Sequence, residues 1–442
     1  MAKRKDRMGL WIVGVRGSVG ATLVAGLAAL RNRPNETTGL ITALPPFQRV
    51  GLVDTNAIVV GGHDIRSETL LSAVQGLHRR AGLFDESAIA AWTPELRAAE
   101  RNIRPGTLCA ASEPVRQLAD QACAIEDQSP VDAVARLTDD IRAFRLRHKL
   151  ARVVVINLAT CERPTRLTAA TRTFSGLTQA LRRPGARVLP PSAHYAIAAV
   201  EAGCAYVNFT PSRGIEVPAL RERADRLGLP YMGRDGKTGE TLVKSALAPM
   251  FAMRNLAVRA WVGQNILGNR DGAALRDART CSAKTRSKGQ ALSAIVPGNP
   301  HTCVSIDYVP SLDDWKVAWD FIHFEGFLGT KMSMQFTWQG CDSILAAPLV
   351  IDLARLTDLE LRRGHGGCMR HLAFFFKDPL DVDVHDLATQ WTMLVDHVTQ
   401  SEANLPSNKK PAPHSNRGAA VRRGSKHNAP ARTRIDTTRD VR

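Results

Sequence analysis

Residues 9–30 constrain the fold more than any other stretch. GLWIVGV reads as a buried strand, Gly14, Gly17 and Gly20 follow it, and ATLVAGLAAL continues as a helix. Glycines here permit a tight turn. They also let backbone N–H groups approach a pyrophosphate at the helix N-terminus. The spacing is G-x-x-G-x-x-G, with Arg16 where the usual dinucleotide fingerprint has glycine. The order strand, glycine turn, helix predicts an open α/β sheet with a dinucleotide at its first turn. The bland alternative is a glycine turn with no ligand.

The chain has 442 residues, enough for two or three domains. Apolar strands alternate with amphipathic helices, which argues α/β. Residues 48–65 read as two short strands, with Asp54 and Asp64 each following one. An acid at that place can bind ribose hydroxyls, which favours NAD over NADP. The alternative is a turn or cap aspartate. Residues 66–130 read as helix and loop. Residues 131–148 read as an amphipathic helix, and ARVVVINLATCER as a central strand with Asn157, Ala159, Thr160 and Cys161 past its carboxyl edge. Residues 190–210 read as helix then strand, with His194 as a helix-start or pocket-wall residue. The loop GRDGKTGETL holds Asp235, Lys237, Thr238 and Gly239 and opens a helix. Loop amides and a Thr hydroxyl at a helix N-terminus suit a phosphate, while the spacing is not that of an ATP-hydrolysing P-loop. Beyond it, 257–267, 303–310 and 331–340 read as strands. Residues 311–326 read as a helix capped by Ser311 with acids in its first turn, 341–362 as a long helix, and 371–380 as an apolar strand ending at Lys377.

Lysines supply the chemistry. Lys284 and Lys288 lie four apart, so on a helix they share a face and repel unless an anion sits between them. A solvated basic face is the plain reading of that pair. Lys316 lies between Trp315 and Val317. Lys377 follows three consecutive Phe, where poor solvation draws an ammonium pKa down unless an anion answers it. With the glycine loop at one end, these lysines point to a phosphorylated, enolisable substrate.

Composition removes other classes. Eight cysteines are scattered singly, with no C-x-x-C and no His/Cys cluster at metal-ligand spacing, so reduced thiols in a cytoplasmic protein and no metal are expected. The basic start followed by an apolar run mimics a signal peptide, but Arg16 breaks the run and no stretch reaches membrane-spanning length. Net charge is +17, of which +7 falls in residues 401–442, a segment rich in Pro, Ser, Asn and Arg that is expected to be disordered. That placement weakens a nucleic-acid reading of the whole chain.

From about residue 9 to 395 the sequence resembles the inositol-3-phosphate synthase family. The likeness rests on motifs in order: GVRGSVG, GGHDI, NLATCER, NFTPS, GRDGKTGET, GNRDG, AKTRSK, DDWKVAWD, CDSILAAPLVIDL and FFFKDPL. It implies a Rossmann-like NAD-binding domain built from residues 8–241 and 342–400. A catalytic and tetramerisation insert of residues 242–341 interrupts it, and the tail of 401–442 lies outside. It further implies a homotetramer and conversion of D-glucose 6-phosphate to inositol phosphate, the first step of inositol biosynthesis. The route is oxidation at carbon 5, enolisation at carbon 6, attack on the carbon 1 aldehyde and re-reduction, with NAD as a true cofactor.

By the same resemblance Lys284, Lys288, Lys316, Lys377, Asp235 and Asp271 are catalytic. Lys288 grips phosphate together with Thr238, Gly239 and Asn269. Lys284 and Lys316 serve the carbon 5 oxygen, and Lys377 assists the aldol step. Gly14, Arg16, Gly17, Gly20, Asp64, Ile65, Ala159, Thr160, Thr210 and Asp342 fall on the cofactor side, Asp64 being preferred to Asp54. The chain departs from the pattern at Arg16, at His63 where Trp is common, and in the basic tail. Two other readings stay open. One is a sugar-phosphate dehydrogenase with net NADH production, the other an inactive homologue whose tail binds nucleic acid.

Overall fold

The computed structural model describes residues 7–120, 122–183, 185, 187–269, 272 and 295–403. The strands of the main sheet are β1 (Met8–Val13), β2 (Ile58–Asp64), β3 (Ile103–Pro105), β4 (Arg152–Asn157), β5 (Ala205–Asn208), β6 (Pro230–Gly233) and, much later, β11 (Gly367–Cys368). A second sheet holds β7 (Ala257–Leu267), β8 (His301–Tyr308), β9 (Trp315–Glu325) and β10 (Lys331–Cys341). The helices are α1 (Ser18–Asn32), α2 (Leu70–Ala81), α3 (Glu86–Glu100), α4 (Glu113–Leu118), α5 (Pro130–Arg147), α6 (Phe174–Leu181), α7 (Pro191–Glu201), α8 (Pro218–Arg226), α9 (Glu240–Met253), α10 (Asp342–Arg363) and α11 (Leu387–Ala403).

The main sheet has the order β11-β6-β5-β4-β1-β2-β3, and all its pairs are parallel. This is the Rossmann-like α/β arrangement, with β4 in the middle. Both faces are covered, as a parallel sheet requires. On β1, Leu10 and Ile12 enter one core with residues of α1 and α10, while Trp11 and Val13 enter the other with residues of α5 and α7. Strand order reverses between β1 and β4. Such a reversal opens a crevice at the carboxyl ends of the strands.

Two glycines set how closely α1 and β2 approach β1. A Cβ on Gly20 would lie 2.3 Å from the Val15 carbonyl oxygen, and one on Gly62 would lie 2.1 Å from that of Ile12. α10 closes the sheet from the far end of the chain. Its buried Asp352 accepts the N–H groups of Ile41 at 2.6 Å and Thr42 at 3.2 Å, and Asp358 accepts Arg152 Nε at 2.6 Å.

The second sheet has the order β10-β9-β7-β8. One face packs on α9 through Phe251, Val258, Trp261 and Ile322. The opposite face presents Trp315 and Trp319, both more than a third exposed.

Three expectations are corrected. Residues 311–326 are not a helix but a short turn at Pro310–Leu312 followed by β9. Lys316, Ala318, Asp320 and Ile322 are buried and Trp315 and Trp319 exposed, the period-two pattern of a strand. The acids that looked like a helix first turn serve elsewhere. Asp314 accepts the Ser343 N–H at the start of α10. Residues 371–380 do not form a strand either, because Arg370–Phe375 is a 3₁₀ turn. Phe374 meets Trp391 and Phe376 meets Phe209, and after the turn only an isolated antiparallel bridge joins Phe376 to Gly236. Residues 48–65 hold one strand rather than two. Asp54 instead caps a 3₁₀ turn by accepting the Asn56 N–H.

No helix among the described residues is long and apolar enough to cross a membrane. Seven cysteines are free thiols, and Cys281 lies outside the described residues.

Candidate active site

The crevice at the strand ends is a cleft of about 540 Å³. One end is built from the loops after β1, β2, β4 and β5. Gly14 has φ +83° and donates its N–H to the His63 carbonyl at 2.8 Å, bringing the first turn back against β2. Asp64 ends β2 and is buried. Its Oδ2 accepts the Arg16 N–H at 2.6 Å and its Oδ1 accepts the Arg66 N–H at 3.0 Å, so one carboxylate ties the glycine turn to the following loop. The Arg16 guanidinium is engaged by Glu100 and the Arg66 carbonyl. Asn157 Oδ1 accepts the Ala159 N–H at 3.1 Å and Asn208 Oδ1 accepts the Thr210 N–H at 3.1 Å. Gly14, Arg16, Gly17, Gly20, Asp64, Ile65, Ala159, Thr160 and Thr210 therefore line one wall.

Behind Asp64, His63 is fully buried. Its Nδ1 accepts from Trp11 Nε1 at 2.9 Å, so the proton is assigned to Nε2, which faces Asp140 Oδ2 at 3.2 Å. Burial draws its pKa down despite Asp140, which keeps the ring neutral beside Trp11.

The residues at this wall fit a dinucleotide. A Cβ on Gly14 would stand 3.0 Å from the Ala159 Cα, and one on Gly17 would stand 3.1 Å from the Gly14 carbonyl oxygen. The floor is thus bare backbone followed by a helix N-terminus, and the acid at the end of β2 suits a ribose diol.

The other end is built by the loop before α9, by β9 and by the start of α10. Lys377 Nζ lies 2.7 Å from Asp235 Oδ1, and both are buried. The loop is pinned by backbone: Lys237 N–H donates to the Phe375 carbonyl at 2.8 Å, and Lys377 N–H donates to the Asp235 carbonyl at 2.7 Å. Lys316 pairs with Asp342, and its Nζ is 3.4 Å from Thr238 Oγ1, which itself donates to Asp342 at 3.2 Å. Gly239 is the N-cap of α9, and a Cβ there would come 3.2 Å from Lys316 Nζ. Asn269 lines the same cleft and accepts the Gly272 N–H at 2.9 Å. Asp271, Lys284 and Lys288 lie outside the described residues.

The sequence profile of the myo-inositol-1-phosphate synthase family matches residues 8–398. The chain belongs to the myo-inositol-1-phosphate synthase family. It is 32% identical over 428 residues to inositol-3-phosphate synthase 1 of Bacteroides thetaiotaomicron, covering 92% of this chain and 97% of that one. It is 29% identical to inositol-3-phosphate synthase of Trypanosoma brucei brucei, over 81% of this chain and 74% of that one. Among solved structures it resembles inositol-3-phosphate synthase from Caenorhabditis elegans, with TM-score 0.80 and 26% identity over 91% of this chain and 87% of that one. As a synthase of this family the chain is an isomerase that uses NAD and converts glucose 6-phosphate to inositol phosphate.

Sequence reasoning gave no role to several charged groups around this synthase site. Lys244 is buried between Glu240 and Asp320, its Nζ 3.4 Å from Asp320 Oδ1, directly behind the strand that carries Lys316. Burial pushes Asp320 up to about 6, against the pull of Lys244. The Glu240/Lys244 spacing of four on a helix was a visible signal, but Asp320 joins them only through the sheet. Lys237 Nζ donates to Gln390 Oε1 at 2.6 Å, and burial lowers its pKa to about 7. On the cofactor side Glu162 is buried against Ser192, and burial raises it to about 7.

Proposed function

We propose that this synthase divides its reaction between the two lysine pairs of the cleft. The observation that carries the reading is the meeting of Lys377–Asp235 and Lys316–Asp342–Thr238 at one end of a dinucleotide crevice. NAD, held by the glycine turn, Asp64 and the loops after β4 and β5, supplies removal and later return of a hydride at carbon 5. Lys316, with Lys284, stabilises the carbon 5 oxygen and exchanges its proton. Lys377 holds a proton at Nζ for the oxygen at carbon 1 during ring closure, and Asp235 orients that ammonium. An enolate and two alkoxides develop charge here, and cations fixed in place stabilise it without reorganisation. Thr238, the amide of Gly239, Asn269 and Lys288 grip the phosphate, and Asp271 completes the acids.

Residues 8–241 with 342–400 form the cofactor-binding part in this reading, and 242–341 the insert. The exposed Trp315 and Trp319 on the outer face of the second sheet favour a homo-oligomer, read here as a homotetramer, because large aromatic surface is enriched at such interfaces. The absence of any paired cysteine among the described residues favours a reducing, cytoplasmic setting.

The test is incubation with glucose 6-phosphate and catalytic NAD, with NMR identification of the product. Inositol monophosphate without accumulated NADH supports the reading, provided Lys316→Ala abolishes it. Accumulation of NADH with an acyclic keto product would replace it with a dehydrogenase.

A further inference from the structure

A second cluster of titratable groups lies at the other end of α10. That helix begins in the cleft at Asp342 and runs 22 residues to Arg363. At ~1.5 Å per residue its ends are about 30 Å apart. In the last turn Glu360 is buried, and its Oε2 lies 2.9 Å from His365 Nδ1 and 3.1 Å from His397 Nε2. These ligand atoms all lie within 4.8 Å of one another. They come from α10, from the turn after it and from α11. Gly364, at φ +71°, reverses the chain so that His365 folds back over the helix end.

We propose that Glu360, His365 and His397 bind a divalent transition ion of the zinc class and so fasten the end of α10 to α11. Two imidazole nitrogens and one carboxylate oxygen are the donor set such ions prefer over magnesium or calcium. A tetrahedral site with bonds of ~2.0–2.1 Å needs donors ~3.3 Å apart. The two carboxylate–ring distances of 2.9 and 3.1 Å lie within a few tenths of an ångström of that spacing, and the two ring nitrogens stand within 4.8 Å of each other. The ion takes the two ring nitrogens that now face the carboxylate; each ring keeps one N–H, on its other nitrogen, and any second ring proton leaves to solvent.

The surroundings support binding. His365 is about half exposed and His397 about a third, so an ion and a water as fourth ligand enter from solvent. Glu360 is buried between the two rings, so its Oε2 faces both of them. Arg363 Nη1 stands 3.6 Å from Oε1, which leaves Oε2 for the ion. The His371 ring stacks on His397 with centroids 3.6 Å apart and 4° between planes. The sequence showed no metal-ligand spacing because positions 360, 365 and 397 converge only through packing.

The test uses the full-length protein after chelator treatment and dialysis, titrated with Zn²⁺ by calorimetry and with Co²⁺ by visible absorption. One equivalent per chain is expected, with Co²⁺ bands of tetrahedral intensity. His365→Ala and His397→Gln should each weaken Zn²⁺ binding at least tenfold. At a Zn²⁺ concentration ~100 times the dissociation constant the folding equilibrium of the unsubstituted protein should shift about 100-fold, and that of His365→Ala far less. Half-exposed His365 can be truncated without opening a core, and unchanged circular dichroism and unchanged turnover verify that it was. If both variants bind Zn²⁺ as the parent does, or the parent binds no Zn²⁺ at sub-millimolar concentration, the proposal is overturned.

Discussion

Lys377 Nζ lies 2.7 Å from Asp235 Oδ1, although the residues are 142 positions apart in sequence. Asp235 occupies a left-handed backbone conformation, φ +62°, and its carbonyl also accepts the Lys377 N–H. The ammonium therefore has both its anion and its backbone position set by one residue.

Asp235→Asn should test this pair without breaking the turn, since Asn tolerates φ > 0. It removes the charge that orients Lys377. The fold should persist while turnover falls on the order of 10²–10⁴-fold, the usual range for a lost proton-transfer partner. Because the two residues act as a unit, the double variant with Lys377→Ala should be little worse than either single one. Turnover within threefold of the parent would remove Asp235 from the reaction.

The two candidate ribose acids can be separated directly. Asp64 ties the glycine turn to the next loop through two backbone N–H groups, whereas Asp54 caps a surface turn. Asp64→Ala should weaken NAD at least tenfold, about 1.4 kcal/mol. Asp54→Ala should leave it unchanged. Equilibrium dialysis with NAD reads both, and an equal loss in the two variants would contradict the assignment.

Gly20→Ala sets two magnitudes against each other. Alanine gains ~1 kcal/mol of helix propensity over glycine. The added Cβ would sit 2.3 Å from a backbone oxygen, which cannot swing aside as a side chain can. Overpacking of this kind costs ~1–3 kcal/mol or more, so net destabilisation is expected from urea unfolding. Stabilisation would mean that α1 slides on β1 at little cost.

Lys237 gives a pH dependence of definite sign. Its folded pKa of about 7 lies below the unfolded value of ~10.4. Between those values the unfolded chain binds more protons than the native one, so stability rises with pH there. The penalty is full below pH 7 and fades as pH climbs. Lys237→Met should flatten the rise between pH 7 and 9 in denaturant titrations. A parallel rise in both proteins would place the titrating group elsewhere.

What was legible in the sequence is what local pattern encodes. Gly14, Gly17 and Gly20 after an apolar run, the acid ending β2, and the loop before α9 all carry their signal within a few residues, and the structure places them around one cleft. β9 resembles a helix in sequence because Asp313 and Asp314 imitate a helix first turn, and only pairing with β7 and β10 reveals the period of two. The aromatic run at 374–376 has strand propensity, but its pairing stops at one bridge to Gly236, and packing of Phe374 on Trp391 and of Phe376 on Phe209 decides its shape. Lys244 with Asp320, and Glu360 with His397, meet only after the elements carrying them have packed.

The closure of the main sheet by α10 has a consequence for biosynthesis. α1 also packs on α2 and α3, but the part of its apolar face that meets α10 is covered only when residues beyond 342 have been made. At ~5–20 residues per second, translation leaves that face uncovered on the ribosome for some tens of seconds. Nascent chains stalled before α10 should therefore be chaperone clients, and chains released just after it should not.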